Sequence, residues 1–141
     1  MKSKRIIHYL IITLLGISMM GMMSCHSTQQ VEPLSNCTPS NVEKVTIEYG
    51  IHDYTLQADE LAEFLVQLNN LKAFEIDNTV KESDGDSFWK LIIELKTGQT
   101  VLLNIASPYI VVNEEGYRVE SATCTELQNY IQNIVEKNFN D

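Results

Sequence analysis

The stretch SFWKLIIELKTGQTVLLNIA, residues 87–106, decides the fold. Trp89, Leu91, Ile93 and Leu95 recur at every second position, the period of a strand with one face buried. Thr97 and Gly98 supply a turn, and residues 99–106 read as the returning strand, so the stretch predicts an antiparallel hairpin. Downstream, YIVV at residues 109–112 predicts another strand after Ser107 and Pro108. Asn113, Glu114, Glu115 and Gly116 then turn the chain into Tyr117, Arg118 and Val119. The middle of the chain therefore predicts an antiparallel meander.

Upstream, Val45, Ile47 and Tyr49 alternate with Thr46 and Glu48, and Gly50, Ile51, His52 and Asp53 turn this strand into a short one at residues 54–56. The period changes over residues 58–71. Leu61, Phe64, Leu65 and Leu68 fall on one helical face, with Asp59, Glu60 and Glu63 near the N-terminus, where the helix dipole favours anions. Phe74 and Ile76 mark a strand at residues 72–77, followed by a long acidic loop over residues 78–86. Near the end of the chain, Thr123 and Glu126 have the spacing of a capping box, ahead of a stripe of Leu127, Tyr130, Ile131, Ile134 and Val135. The expected fold is an α+β domain over residues 42–141. It consists of a single curved antiparallel meander sheet with two amphipathic helices packed on it, in the order β-β-α-β-β-β-β-β-α.

Both faces of the meander read as apolar. Phe88, Ile92, Leu102, Ile110 and Val112 are expected on the face opposite Trp89, Leu91, Ile93, Val101, Leu103, Tyr109 and Val111. That second face is expected either to be covered by the other helix or to be offered to a partner.

Before the domain, Lys2, Lys4 and Arg5 precede an apolar run from residue 6 to residue 23, the layout of an export signal. The run ends in Met22, Met23, Ser24 and Cys25. This resembles the lipobox of bacterial lipoproteins, with Met22 where Leu is commoner, a small residue before the cysteine, and the cysteine itself. The resemblance covers residues 1–25. It implies that residues 1–24 are removed as a signal peptide, that the Cys25 thiol carries a diacylglycerol, and that the new amine receives a further acyl chain such as palmitate. It also implies a body on the cell membrane or outer membrane, facing the periplasm or exterior; His26 in place of Asp favours the outer membrane. An uncleaved helix spanning the bilayer is the other reading of the apolar run. SPYIVVNEEGYRV and CTELQNYI give the body a resemblance to small domains of unknown function in exported bacterial lipoproteins, which brings no residue roles with it.

Residues 25–41 read as the lipidated cysteine and a flexible polar tether containing Pro33 and Pro39. With Cys25 assigned to lipid, Cys37 and Cys124 remain as an even pair. A disulfide between them would close a long loop, worth about 4 to 5 kcal/mol in the chain-entropy model; two reduced thiols are the alternative.

Residues 25–141 hold seven Lys and Arg against 19 Asp and Glu, a formal charge of −12. Such a body lacks the clustered cations that nucleic acid requires, and an anionic lipid surface repels it, so its attachment has to be covalent or transmembrane. After cleavage the histidines are His26 and His52, too few bases and ligands for a nucleophilic or zinc site, and residues 82–86 lack the spacing of a calcium loop. No catalytic residue, metal or cofactor is expected. The expected function is a non-enzymatic binding or accessory module at the cell envelope with a possible envelope protein partner; the alternative is a small envelope hydrolase or hydrolase inhibitor.

Overall fold

A computed structural model describes residues 31–82 and 89–139. Residues 1–30, with the export segment and Cys25, lie outside the described residues, as do Phe88 and residues 83–86 of the acidic loop.

One antiparallel sheet of seven strands forms the body: β1 (Val42–Tyr49), β2 (His52–Thr55), β3 (Ala73–Ile76), β4 (Trp89–Leu95), β5 (Thr100–Ala106), β6 (Tyr109–Val112) and β7 (Glu115–Val119). The spatial order is β2-β1-β4-β5-β6-β7-β3, so the meander β4 to β7 is flanked by the first hairpin on one side and by β3 on the other. Two helices, α1 (Ala58–Asn69) and α2 (Ser121–Phe139), supply the second layer, and the fold is α+β as expected.

Alternation in β4 and β5 sorts the two faces. Leu91, Ile93, Val101, Leu103 and Ile105 are buried with Phe64, Leu65 and Leu68 of α1 and Leu127, Ile131 and Ile134 of α2 in one core. Fully burying an aliphatic or aromatic side chain of this size contributes roughly 1.5 to 3 kcal/mol. The helices are tied to each other by the Tyr130 hydroxyl, which donates to the Glu60 carbonyl at 2.9 Å. At the start of α1 the Glu60 carboxylate accepts from the Gln57 N–H at 2.9 Å, satisfying one of the donors that a helix N-terminus leaves free.

The opposite face is polar in part: Lys90, Thr100 and Arg118 are exposed, Ile92 is half-buried, and Leu102 is 50% exposed. Among the described residues it is not uniformly apolar, and the short 3-10 helix Asn78–Glu82 lies against its β6–β7 end, beside Val111 and Gly116. The expected set Ile92, Leu102, Ile110 and Val112 is split between the faces. Only Ser107 and Pro108 separate Ala106 from its partner Tyr109, so Ile105 pairs with Ile110 and Leu103 with Val112. Paired residues share a face, which puts Ile110 and Val112 in the core, fully buried, and places Tyr109 and Val111 on the face with Leu102.

Two further expectations are corrected. Residues 31–41 are not a free tether: Val31, Leu34 and Cys37 are buried, a short 3-10 turn runs over Glu32–Leu34, and the Asn69 side chain donates to the Cys37 carbonyl at 3.1 Å. Their three-residue spacing matches a tight turn, which presents the small apolar set to the core. The second helix starts at Ser121, so Thr123 and Glu126 stand inside it and make no capping box. The Thr123 hydroxyl donates to the Glu120 carbonyl, as Thr does within a helix.

Candidate binding surface at the aromatic end of the sheet

The β1–β2 connection is a two-residue turn of Gly50 and Ile51, with Tyr49 paired to His52. Gly50 has φ of +60°, a conformation that glycine adopts without steric cost. The turn projects Ile51 into solvent at 94% exposure. Register then places Tyr49, His52 and Tyr54 on the helix-bearing side, next to Trp89 at the start of β4.

These rings meet the last residue of α2. Tyr49 stacks between Trp89 and Phe139, with centroids 5.9 and 5.8 Å away. Phe139 also stacks with His52 at 5.6 Å and meets the edge of Tyr54 at 6.1 Å. Offset stacking and edge contacts of this kind add about 0.5 to 1.5 kcal/mol per pair beyond area burial. The cluster seals the core where the helices end, yet Tyr49 remains 43% exposed.

Carboxylates of α1 act on Tyr54 and Tyr130. The Tyr54 hydroxyl donates to Glu60 at 2.9 Å, and burial, Glu60 and Asp59 together raise its pKa. Tyr130 is pushed up to about 12 by burial first, and then by the negative field of Glu63, Glu60 and Asp59. On the other side of the hairpin, Glu48 and Asp53 stand directly opposite each other, a like-charge arrangement that costs stability. Lys90 is the remaining cross-strand neighbour of Glu48. Among the described residues the ion pairs are Lys44 with Glu94 and Arg118 with Glu75, none of them at this end.

His52 is thus a stacking residue at a hairpin edge. Cys37 and Cys124 are free thiols, both fully buried, so the expected disulfide between them is not formed here. Cys37 sits before β1 beside the end of α1, and Cys124 lies in the first turns of α2 beside Ser107. Burial pushes each thiol up to about 11, with a Ser107 hydrogen bond opposing the shift at Cys124, so neither offers a thiolate near neutral pH. They act as small core residues. Among the described residues, no group of three or more His, Cys, Asp or Glu is placed to hold a metal ion, and no helix is long and apolar enough to cross a membrane.

Sequence reasoning missed the aromatic cluster because its members come from four separate segments. The available signals were an isoleucine at a turn tip and a phenylalanine just past the recognised stripe of the last helix. Comparison with protein-family models, with curated proteins and with solved structures gives no match to this chain.

Proposed function

We propose that the chain is a lipid-anchored extracytoplasmic protein whose α+β domain serves as a binding or accessory module at the cell envelope. The observation that carries this reading is the burial of Val31, the first of the described residues. Val31 is buried, so only residues 26–30 separate the domain from Cys25, the cysteine of the lipobox-like sequence. Even fully extended, five residues span at most about 18 Å, so acylation at Cys25 would hold the domain close to the headgroups. Two or three acyl chains exceed the single chain that binds only marginally, so such an anchor is in effect permanent.

A surface of exposed aromatic and aliphatic side chains on a module of this charge suits recognition of another envelope component. Intact-mass measurement tests the anchor: loss of residues 1–24 with a gain of acyl mass is expected, and an unmodified full-length mass would refute it. Cross-linking in whole cells followed by affinity recovery tests the module. Discrete partners above a Cys25→Ala control are expected, and recovery equal to that control would reject the reading.

A further inference from the structure

We propose that the β3 edge of the sheet, through Phe74 and Ile76, rests on the zwitterionic headgroup layer of the membrane that anchors the chain; this rests on the anchor reading and gives the domain its orientation.

The two edges of the sheet differ in what they expose. β2 and β3 stand at opposite ends of the strand order, six spacings apart, roughly 29 Å. Each has four residues. β2 presents His52, Asp53 and Thr55 to solvent, whereas β3 presents Phe74 at 39% exposure and Ile76 at 59%. An edge strand with bare apolar side chains invites pairing with another chain, and edges are ordinarily blunted by charge or by cover. A headgroup layer supplies such cover, because aromatic and aliphatic side chains are favourably placed at the boundary between membrane and water.

The length of chain before Val31 decides which edge meets the bilayer. Ile76 stands directly opposite Tyr117 of β7. Tyr117 also feels the charge of Glu32, the residue after buried Val31, so the chain enters the domain on the β7–β3 side of the sheet. Residues 26–30 span at most about 18 Å from Cys25. That is less than the width of the sheet, so a domain standing on its β2 edge would leave Cys25 short of the bilayer.

Charge sets the kind of layer. Beside this edge Arg118 pairs with Glu75, and the Asp77 carboxylate accepts from the Thr79 N–H and hydroxyl. The body as a whole carries −12, so an anionic layer repels it and a zwitterionic one does not.

The full acylated chain is reconstituted into phosphatidylcholine vesicles that carry a nitroxide on a fraction of their headgroups, with a fluorophore attached at Ile76→Cys or at Ile51→Cys. Cys37 and Cys124 are fully buried, and labelling of the parent chain supplies the blank. Headgroup quenching is expected to be about threefold or more stronger at position 76 than at position 51, since the two sites stand at opposite ends of the strand order. Replacing part of the phosphatidylcholine with an anionic lipid is expected to weaken quenching at position 76. Equal quenching at the two positions describes a domain lying flat and overturns the proposal, as does stronger quenching at position 51. A label at position 76 that is shielded equally in vesicles and in detergent, with the sedimentation mass of a dimer, assigns the edge to a second copy and also overturns it. Those outcomes leave the anchor standing. Protein that fails to float with the vesicles rejects the anchor, and the orientation with it.

Discussion

The β6–β7 and β1–β2 hairpins are both closed by two residues, but what backs each turn differs. At β6–β7 the chain's own polar groups occupy every side. Asn113 accepts from the Leu102 N–H at 2.9 Å and returns its own N–H to the Leu102 carbonyl at 2.9 Å, and the Tyr117 hydroxyl donates to Glu115. The carbonyl of Asp77 lies against Gly116, whose N–H reaches the Asn78 side chain at 3.3 Å. At β1–β2 the turn itself has no such backing among the described residues. A bare isoleucine forms its tip, rings crowd one side, and two carboxylates face each other on the other. One hairpin is committed to the fold, whereas the other leaves apolar and charged groups that the fold does not use.

The sharpest test lies in residues 31–41. If residues 31–41 belong to the core, Leu34→Ala removes a side chain only 2% exposed and should cost about 2 to 5 kcal/mol in urea or guanidinium unfolding. A loss near zero would restore the free-tether reading and remove the short-anchor argument. The same segment also contributes to alkaline sensitivity. Cys37 and Cys124 have folded pKa values raised from 9.0 to about 11, so above pH 9 the unfolded chain loses protons that the folded chain retains. Stability should therefore be whole below pH 9 and fall as pH rises toward 11, and a Cys37→Ala, Cys124→Ala protein should show a shallower decline.

At the committed hairpin, a methyl group on Gly116 would run into the Asp77 carbonyl, a backbone atom that cannot swing aside. Gly116→Ala should destabilise by about 1 to 3 kcal/mol, since overpacking forces the backbone of residues 77 and 78 to move. Gly50→Ala meets open space and pays only for its positive φ, about 1 kcal/mol. A larger loss at Gly50 than at Gly116 would invert the contrast between the turns. In the opposite direction, Glu114 occupies φ of +71° without being glycine, and Glu114→Gly should raise stability by up to about 1 kcal/mol.

These differences also explain what could be read from the sequence. The β4–β5 hairpin and both helices were legible because each buries one face, and burial imposes a period of two or of 3.6 on the apolar residues. The faces of β6 were not, since a face assignment passes through a turn and depends on which residues pair. Ala106 pairing with Tyr109 sends Ile110 inward, while periodicity within β6 is the same for either choice. The start of the domain was concealed by composition, because three buried side chains at Val31, Leu34 and Cys37 are too few to stand out among polar neighbours. The aromatic cluster had no period at all, being assembled by tertiary contact between strand ends and the last residue of a helix.

The smallest expected effect on stability separates fold from function most cleanly. Ile51 is nearly as exposed in the folded protein as in an extended chain, so Ile51→Ser removes almost no buried area and should leave the unfolding midpoint within about 0.5 kcal/mol of the parent. Tyr49→Ala is a poorer probe, because Tyr49 is sandwiched between Trp89 and Phe139 and its loss would loosen the seal of the core. A stability-neutral Ile51→Ser that nevertheless recovers fewer partners from cross-linked cells than the parent would show that the apolar tip is used by a partner rather than by the domain. A neutral variant with partner recovery intact would return Ile51 to the ordinary scatter of exposed apolar residues, leaving the rings as a seal on the core.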